Sequence, residues 1–88
     1  MNCIFCPDII LQRHFHGLRC YQCGTYYTFF EDNLISYYFR YKDFLCVFII
    51  RNDHEKIFYI TKFGEHIMDL NYHPNITPQN IETVLIFL

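Results

Sequence analysis

Four of the five cysteines in this 88-residue chain fall in one stretch, CIFCPDIILQRHFHGLRCYQCG, at residues 3–24. Cys3 and Cys6 form one C-x-x-C pair, Cys20 and Cys23 a second, with thirteen residues between the pairs. Thiols so arranged could hold a metal, shuttle electrons or cross-link the chain. A tight C-x-x-C knuckle presents two sulfurs to one ion, and two knuckles brought together complete a tetrahedron. A redox C-x-x-C calls for a βαβ setting, and the surrounding pattern lacks one. A disulfide framework needs an oxidising compartment. The first residues carry no basic leader before Cys3, so reduced thiols and a cytoplasmic location are the expectation. The reading is one metal ion on Cys3, Cys6, Cys20 and Cys23. Zinc is the expected metal, and spacing alone does not exclude iron.

Four thiolates fill a tetrahedral shell, whereas a catalytic zinc keeps a position for water. The ion is therefore read as structural. His14 and His16 lie between the pairs and read as exposed strand residues, and His54, His66 and His73 are scattered. Cys46 sits between Leu45 and Val47, where a free thiol behaves as a small buried hydrophobe. No glycine-rich phosphate loop, Ser/His/Asp grouping or carboxylate pair with meaningful spacing stands out. The chain is read as non-enzymatic, with no catalytic residues.

The knuckles need a hairpin scaffold to bring them together. His14 to Arg19 reads as a returning strand and Thr25 to Phe30 (TYYTFF) as its partner. Gly24, directly after the last ligand, suits a backbone angle that other residues avoid. On these residues the segment 3–30 resembles a zinc ribbon, two cysteine knuckles on β-hairpins around one structural zinc. The resemblance implies Cys3, Cys6, Cys20 and Cys23 as the zinc ligands. Two local departures are Pro7-Asp8, where a glycine is common, and the apolar run Ile9-Ile10-Leu11 in the gap. Ribbons occur in transcription factors, polymerase subunits, ribosomal proteins, primases and small phage and bacterial proteins. The resemblance thus implies the metal more firmly than the activity.

The remaining residues read as antiparallel strands. Alternation and β-branched or aromatic content mark Ile35–Tyr41, Phe44–Arg51, Lys56–Lys62 and His66–Leu70. Phe44 to Ile50 is apolar throughout, so it is expected at the sheet centre, buried on both faces. Asn52-Asp53 and Gly64 supply turns. Thr77 is a good N-cap with Pro78 at the first helical position, and Ile81, Val84, Leu85 and Leu88 share a helical face. The expected fold is mainly β with one C-terminal helix (77–88). A zinc ribbon over residues 1–30 precedes an antiparallel β-meander over 31–88, the two packed as one compact unit.

The longest apolar run has seven residues, far below the roughly 18 of a membrane-spanning helix, so no membrane role is expected. The formal charge is −2; four metal-bound thiolates with one divalent ion take it to about −4. Such a chain lacks an overall basic footprint. Alanine and tryptophan are absent, and Ile, Phe, Tyr and Asn abound. That bias suggests AT-rich codons and hence a phage, viral or low-GC origin, with the host cytoplasm as the location if viral. Eight Tyr and ten Phe exceed what one short helix over one sheet face should cover, and exposed aromatics mark interfaces. A binding module for a protein partner is the first expectation. The alternatives are a nucleic-acid-binding ribbon and a structural subunit of a larger assembly. Tyr21, Tyr26 and Tyr27 could also stack bases. The candidate partner surface is Tyr37, Tyr38, Arg40, Tyr41, Lys42, Arg51, Lys56 and Lys62.

Overall fold

The computed structural model describes residues 1–51, 55–70 and 76–85, with backbone alone at 51, 55, 56, 66–70 and 84. Seven strands form one sheet in sequential order: β1 (Gln12–His14), β2 (Gly17–Arg19), β3 (Tyr26–Phe30), β4 (Asn33–Tyr41), β5 (Phe44–Arg51), β6 (Glu55–Lys62) and β7 (Glu65–Leu70). All neighbouring pairs are antiparallel. The helix α1 (Ile81–Leu85) follows. The mainly-β meander with its C-terminal helix is the expected class. The cysteine hairpins belong to the same sheet, because β3 pairs with β2 on one side and β4 on the other.

Local differences have physical causes. The stretch His14–Arg19 is a hairpin turning at Phe15-His16, not one strand. Gly17 permits it: a Cβ there would lie 2.3 Å from the Tyr27 carbonyl oxygen and 2.8 Å from the Tyr26 ring. Residues 78–80 form turns ahead of α1, so the described helix is shorter than expected. Thr77, expected as the N-cap, closes the turn that leads into α1. The Asn80 N–H donates to the Thr77 hydroxyl at 3.2 Å, and the Thr77 N–H donates to the Asn80 side-chain oxygen at 2.8 Å, the reciprocal pattern of a capping box. The expected turn at Asn52-Asp53, His54, His73 and the helix end at 86–88 lie outside the described residues.

Strict alternation sorts side chains between two faces. On the inner face the register aligns Leu18, Tyr27, Tyr37, Phe48 and Phe58 in one row across five strands. Neighbouring rings from Tyr27 to Phe58 stand 5.6, 4.7 and 4.6 Å apart, contacts that contribute about 0.5–1.5 kcal/mol each beyond their buried area. Phe39, Cys46 and Ile60 form the next row, and both rows from Tyr27 onward are buried. Phe5, Leu11, Ile76 and Ile81 join this core, with Phe5 set edge-on to Tyr37 and Phe39. Cys46 is a core residue, as expected. On the outer face Val47 is buried, while Leu45 and Ile49 are only half-buried. The central strand is thus buried on both faces at its middle, Cys46, Val47 and Phe48, and half-buried on both towards its ends.

Candidate metal centre

The two knuckles meet at one end of the sheet. The first is closed by the Ile9 N–H donating to the Cys6 carbonyl at 2.9 Å. Pro7 holds the first corner of that turn, where its fixed φ is suited, and no glycine is needed. The second is closed by the Gly24 N–H donating to the Cys20 carbonyl at 2.8 Å. Gly24 has φ +78°, the left-handed conformation that a side chain would oppose. A hydrogen bond from the Cys3 N–H to the Ile9 carbonyl and one from the Cys20 N–H to the Thr25 carbonyl fix the first cysteine of each pair.

The four sulfurs of Cys3, Cys6, Cys20 and Cys23 all lie within 4.8 Å of one another. All are free thiols, three of them buried and Cys23 half-buried. The Cys3 and Cys23 sulfurs are 3.7 Å apart. A tetrahedron with metal–sulfur bonds of about 2.3 Å has edges of about 3.8 Å, so the cluster fits one thiolate-bound ion. His14 and His16 are not part of it.

Each sulfur also has a hydrogen-bond donor. The Ile4 N–H donates to the Tyr27 hydroxyl at 3.0 Å, which leaves the phenolic proton for the Cys3 sulfur at 3.1 Å. Cys6 accepts from the Gln22 and Gln79 amides at 3.7 and 3.8 Å. Cys20 accepts from the Cys23 N–H at 3.5 Å, and Cys23 contacts the Thr25 hydroxyl at 3.1 Å. Thr25 is fully buried, and this bond is the reason it can be. Donors to the sulfurs spread the charge that four thiolates concentrate. Tyr27 keeps its proton, because burial and the adjoining Cys3 sulfur push its pKa well above the ordinary phenolic range.

Without a cation the thiols do not ionise together. Burial, reinforced by the neighbouring Cys23 and Cys20 sulfurs, pushes Cys6 up to about 12. Burial also raises Cys23, against the Thr25 bonds. Burial opposes ionisation of Cys20 too, but the N–H groups of Cys23 and Gln22 outweigh it and bring Cys20 to about 7. The Cys23 and Gln22 N–H groups thus favour the Cys20 thiolate, and a divalent ion would supply the charge that offsets burial at Cys6 and Cys23.

The sequence reading named the four cysteines that the structure brings together and missed the side chains around them. Tyr27, Thr25, Gln22 and Gln79 carry no spacing signal, and Gln79 reaches the cluster from the far end of the chain. Tyr27 and Tyr37 were expected at a binding surface, yet both are buried. Alternation along β3 and β4 turns them to the covered face, beside Tyr26 and Tyr38 on the other. The remaining candidate surface does not form one patch. Tyr38 and Arg40 are on the outer face. Tyr41 is half-buried with the inner core. The Lys42 ammonium lies 5.4 Å from the Tyr41 ring, and that of Lys62 5.1 Å from the Phe44 ring. The side chains of Arg51 and Lys56 lie outside the described residues.

Among the described residues no helix is long and apolar enough to cross a membrane. Comparison with protein-family models, curated proteins and solved structures finds no match.

Proposed function

We propose that this chain is a zinc ribbon built into a β-meander, with one structural zinc on Cys3, Cys6, Cys20 and Cys23, and that it works by binding another macromolecule rather than by catalysis. The supporting observation is the completeness of the site: four sulfurs within 4.8 Å, each with its own hydrogen-bond donor. A shell of four thiolates has no position left for a substrate or an activated water. The ion's contribution is to fold and fix the chain. The protein surface then carries the activity, and the uncovered outer face of the sheet is where the aromatic side chains remain reachable.

Elemental analysis of the purified chain tests this reading. One zinc per chain is expected. One iron per chain, with thiolate-to-iron absorption in the visible, would replace zinc by iron. A folded chain without metal, whose C-x-x-C thiols cycle between thiol and disulfide, would overturn the structural-metal reading altogether.

A further inference from the structure

The outer face is not uniform. At its β1–β4 end, His14, Phe15, Arg19, Gly24, Tyr26, Tyr38 and Arg40 line an open cleft of about 450 Å³. A smaller hollow shares His14 and Arg19 and adds Arg13 and Tyr21. Arg19 and Arg40 therefore border one cleft, which no carboxylate lines, while Arg13, paired with Leu18, belongs to the other face of the sheet. Asp43 borders a neighbouring hollow that shares Arg40, and Asp32 one that shares Phe15. The chain is acidic overall, and this strip is locally cationic.

Rings and cations alternate along the strip. Tyr26 stands 5.4 Å from Tyr38 and 5.9 Å from His14, with its hydroxyl held by the His14 carbonyl at 3.1 Å. Gly17 leaves room for that ring on β2. Tyr21 and Phe15 are exposed, at 63% and 83%. Phe15 sits in the β1–β2 turn with φ +52° at the lip of the cleft, its ring set edge-on to His14 at 4.6 Å.

We propose that this strip, centred on Arg19, Tyr26, Tyr38 and Arg40, binds single-stranded nucleic acid. Arginines spaced along a groove match a phosphate backbone, and interleaved rings offer faces on which any base can stack. An acidic peptide would satisfy the arginines but leave the exposed rings without a purpose. A duplex would satisfy the arginines and keep its bases out of reach. The proposal rests on the binding role given above and names the partner for it.

The test uses the full chain carrying its metal, with unstructured dT and U oligonucleotides of about 15 nucleotides and fluorescence anisotropy. Binding is expected at about 50 mM salt and should fall severalfold by about 200 mM, since each phosphate contact contributes about −0.7 to the log–log salt slope on single strands. The double variant Arg19→Gln/Arg40→Gln should lose about tenfold or more and flatten that slope by about 1.4. Tyr38→Ala should lose about fivefold or more at unchanged slope. Lys62→Gln removes a charge outside the cleft and should bind as wild type. Metal content and circular dichroism of every variant must match wild type, so that a failure of the strip is distinct from a failure of the metal site. A folded, metal-loaded chain that ignores both oligonucleotides at about 50 mM salt overturns the proposal. So does equal affinity for a duplex, or a loss confined to the lysine variant.

Discussion

Two tyrosine pairs, Tyr26-Tyr27 and Tyr37-Tyr38, divide the molecule. Within each pair the residues are chemically identical and adjacent, and each pair sends one ring to either face of the sheet. Tyr27 and Tyr37 are buried in the aromatic row, and Tyr27 uses its hydroxyl on the Cys3 sulfur. Tyr26 and Tyr38 stay half-exposed and touch each other. Residue type does not separate the two fates. What separates them is the covering: Phe5, Leu11, Ile76 and Ile81 join the core on one side, and the first cysteine knuckle and the segment after it bring the first two of these there. On the proposed function, the inner face would be stabilised through the metal site and the outer face would carry the binding.

Breaking the metal site should erase the difference. Cys20→Ser should release the ion and unfold the chain, because structural metal binding supplies folding free energy of about 10 kcal/mol or more. Far-ultraviolet circular dichroism would read the loss. Next in size, Tyr37→Ala should cost about 3–5 kcal/mol, as other large aromatic truncations in cores do, measured by urea denaturation. Tyr38→Ala, its neighbour on the other face, should cost less than about 1 kcal/mol.

The two faces should also respond differently to alkali. Burial pushes Cys46 up to about 12 and raises Tyr37 above its ordinary 10.0. Both groups lose their protons more readily in the unfolded chain, so their contribution is intact below about pH 9 and declines as pH rises towards 12. Melting temperature should therefore fall steadily above pH 9, and Cys46→Val should soften the fall. Tyr27→Phe should have a smaller effect. It strands the Ile4 N–H and removes the proton held to Cys3, at about 1–3 kcal/mol and about 10–100-fold in metal affinity, measured by competition with a chromophoric chelator. Tyr26→Phe removes only the bond to the His14 carbonyl and should cost about 0.5–1.5 kcal/mol, with no change in metal affinity.

The strands and the cysteine cluster were legible because both depend on local spacing. Phe44–Arg51 is a strand with the predicted bounds, and C-x-x-C marks a knuckle wherever it lies. The turns were less legible. Glu31-Asp32 and Phe15-His16 reverse the chain with neither Gly nor Asn, through positive φ at Phe15, Glu31 and Asp32, conformations that side chains of these types seldom adopt. The face assignment of Tyr37 was not legible either. Ile35–Tyr41 is amphipathic only weakly, and its inward face was decided by what packs on it. The same holds for the cationic strip. Arg19 and Arg40 are dispersed in the sequence, and only the register β2–β3–β4 gathers them. Gln79 is the extreme case, since nothing local joins residue 79 to Cys6.

That last contact points to the most direct measurement. Metal removal should affect both ends of the sheet and not the hairpins alone, because the Gln79 amide bonds to Cys6 while Phe5 packs on Tyr37, Phe39 and Phe48. A chelator titration followed by circular dichroism, in the far ultraviolet for strands and in the near ultraviolet for the aromatic row, reads both regions at once. The account predicts that the two signals collapse together as one ion per chain is withdrawn, and return when zinc is restored. A metal-free chain that keeps its near-ultraviolet spectrum and melting temperature would contradict it.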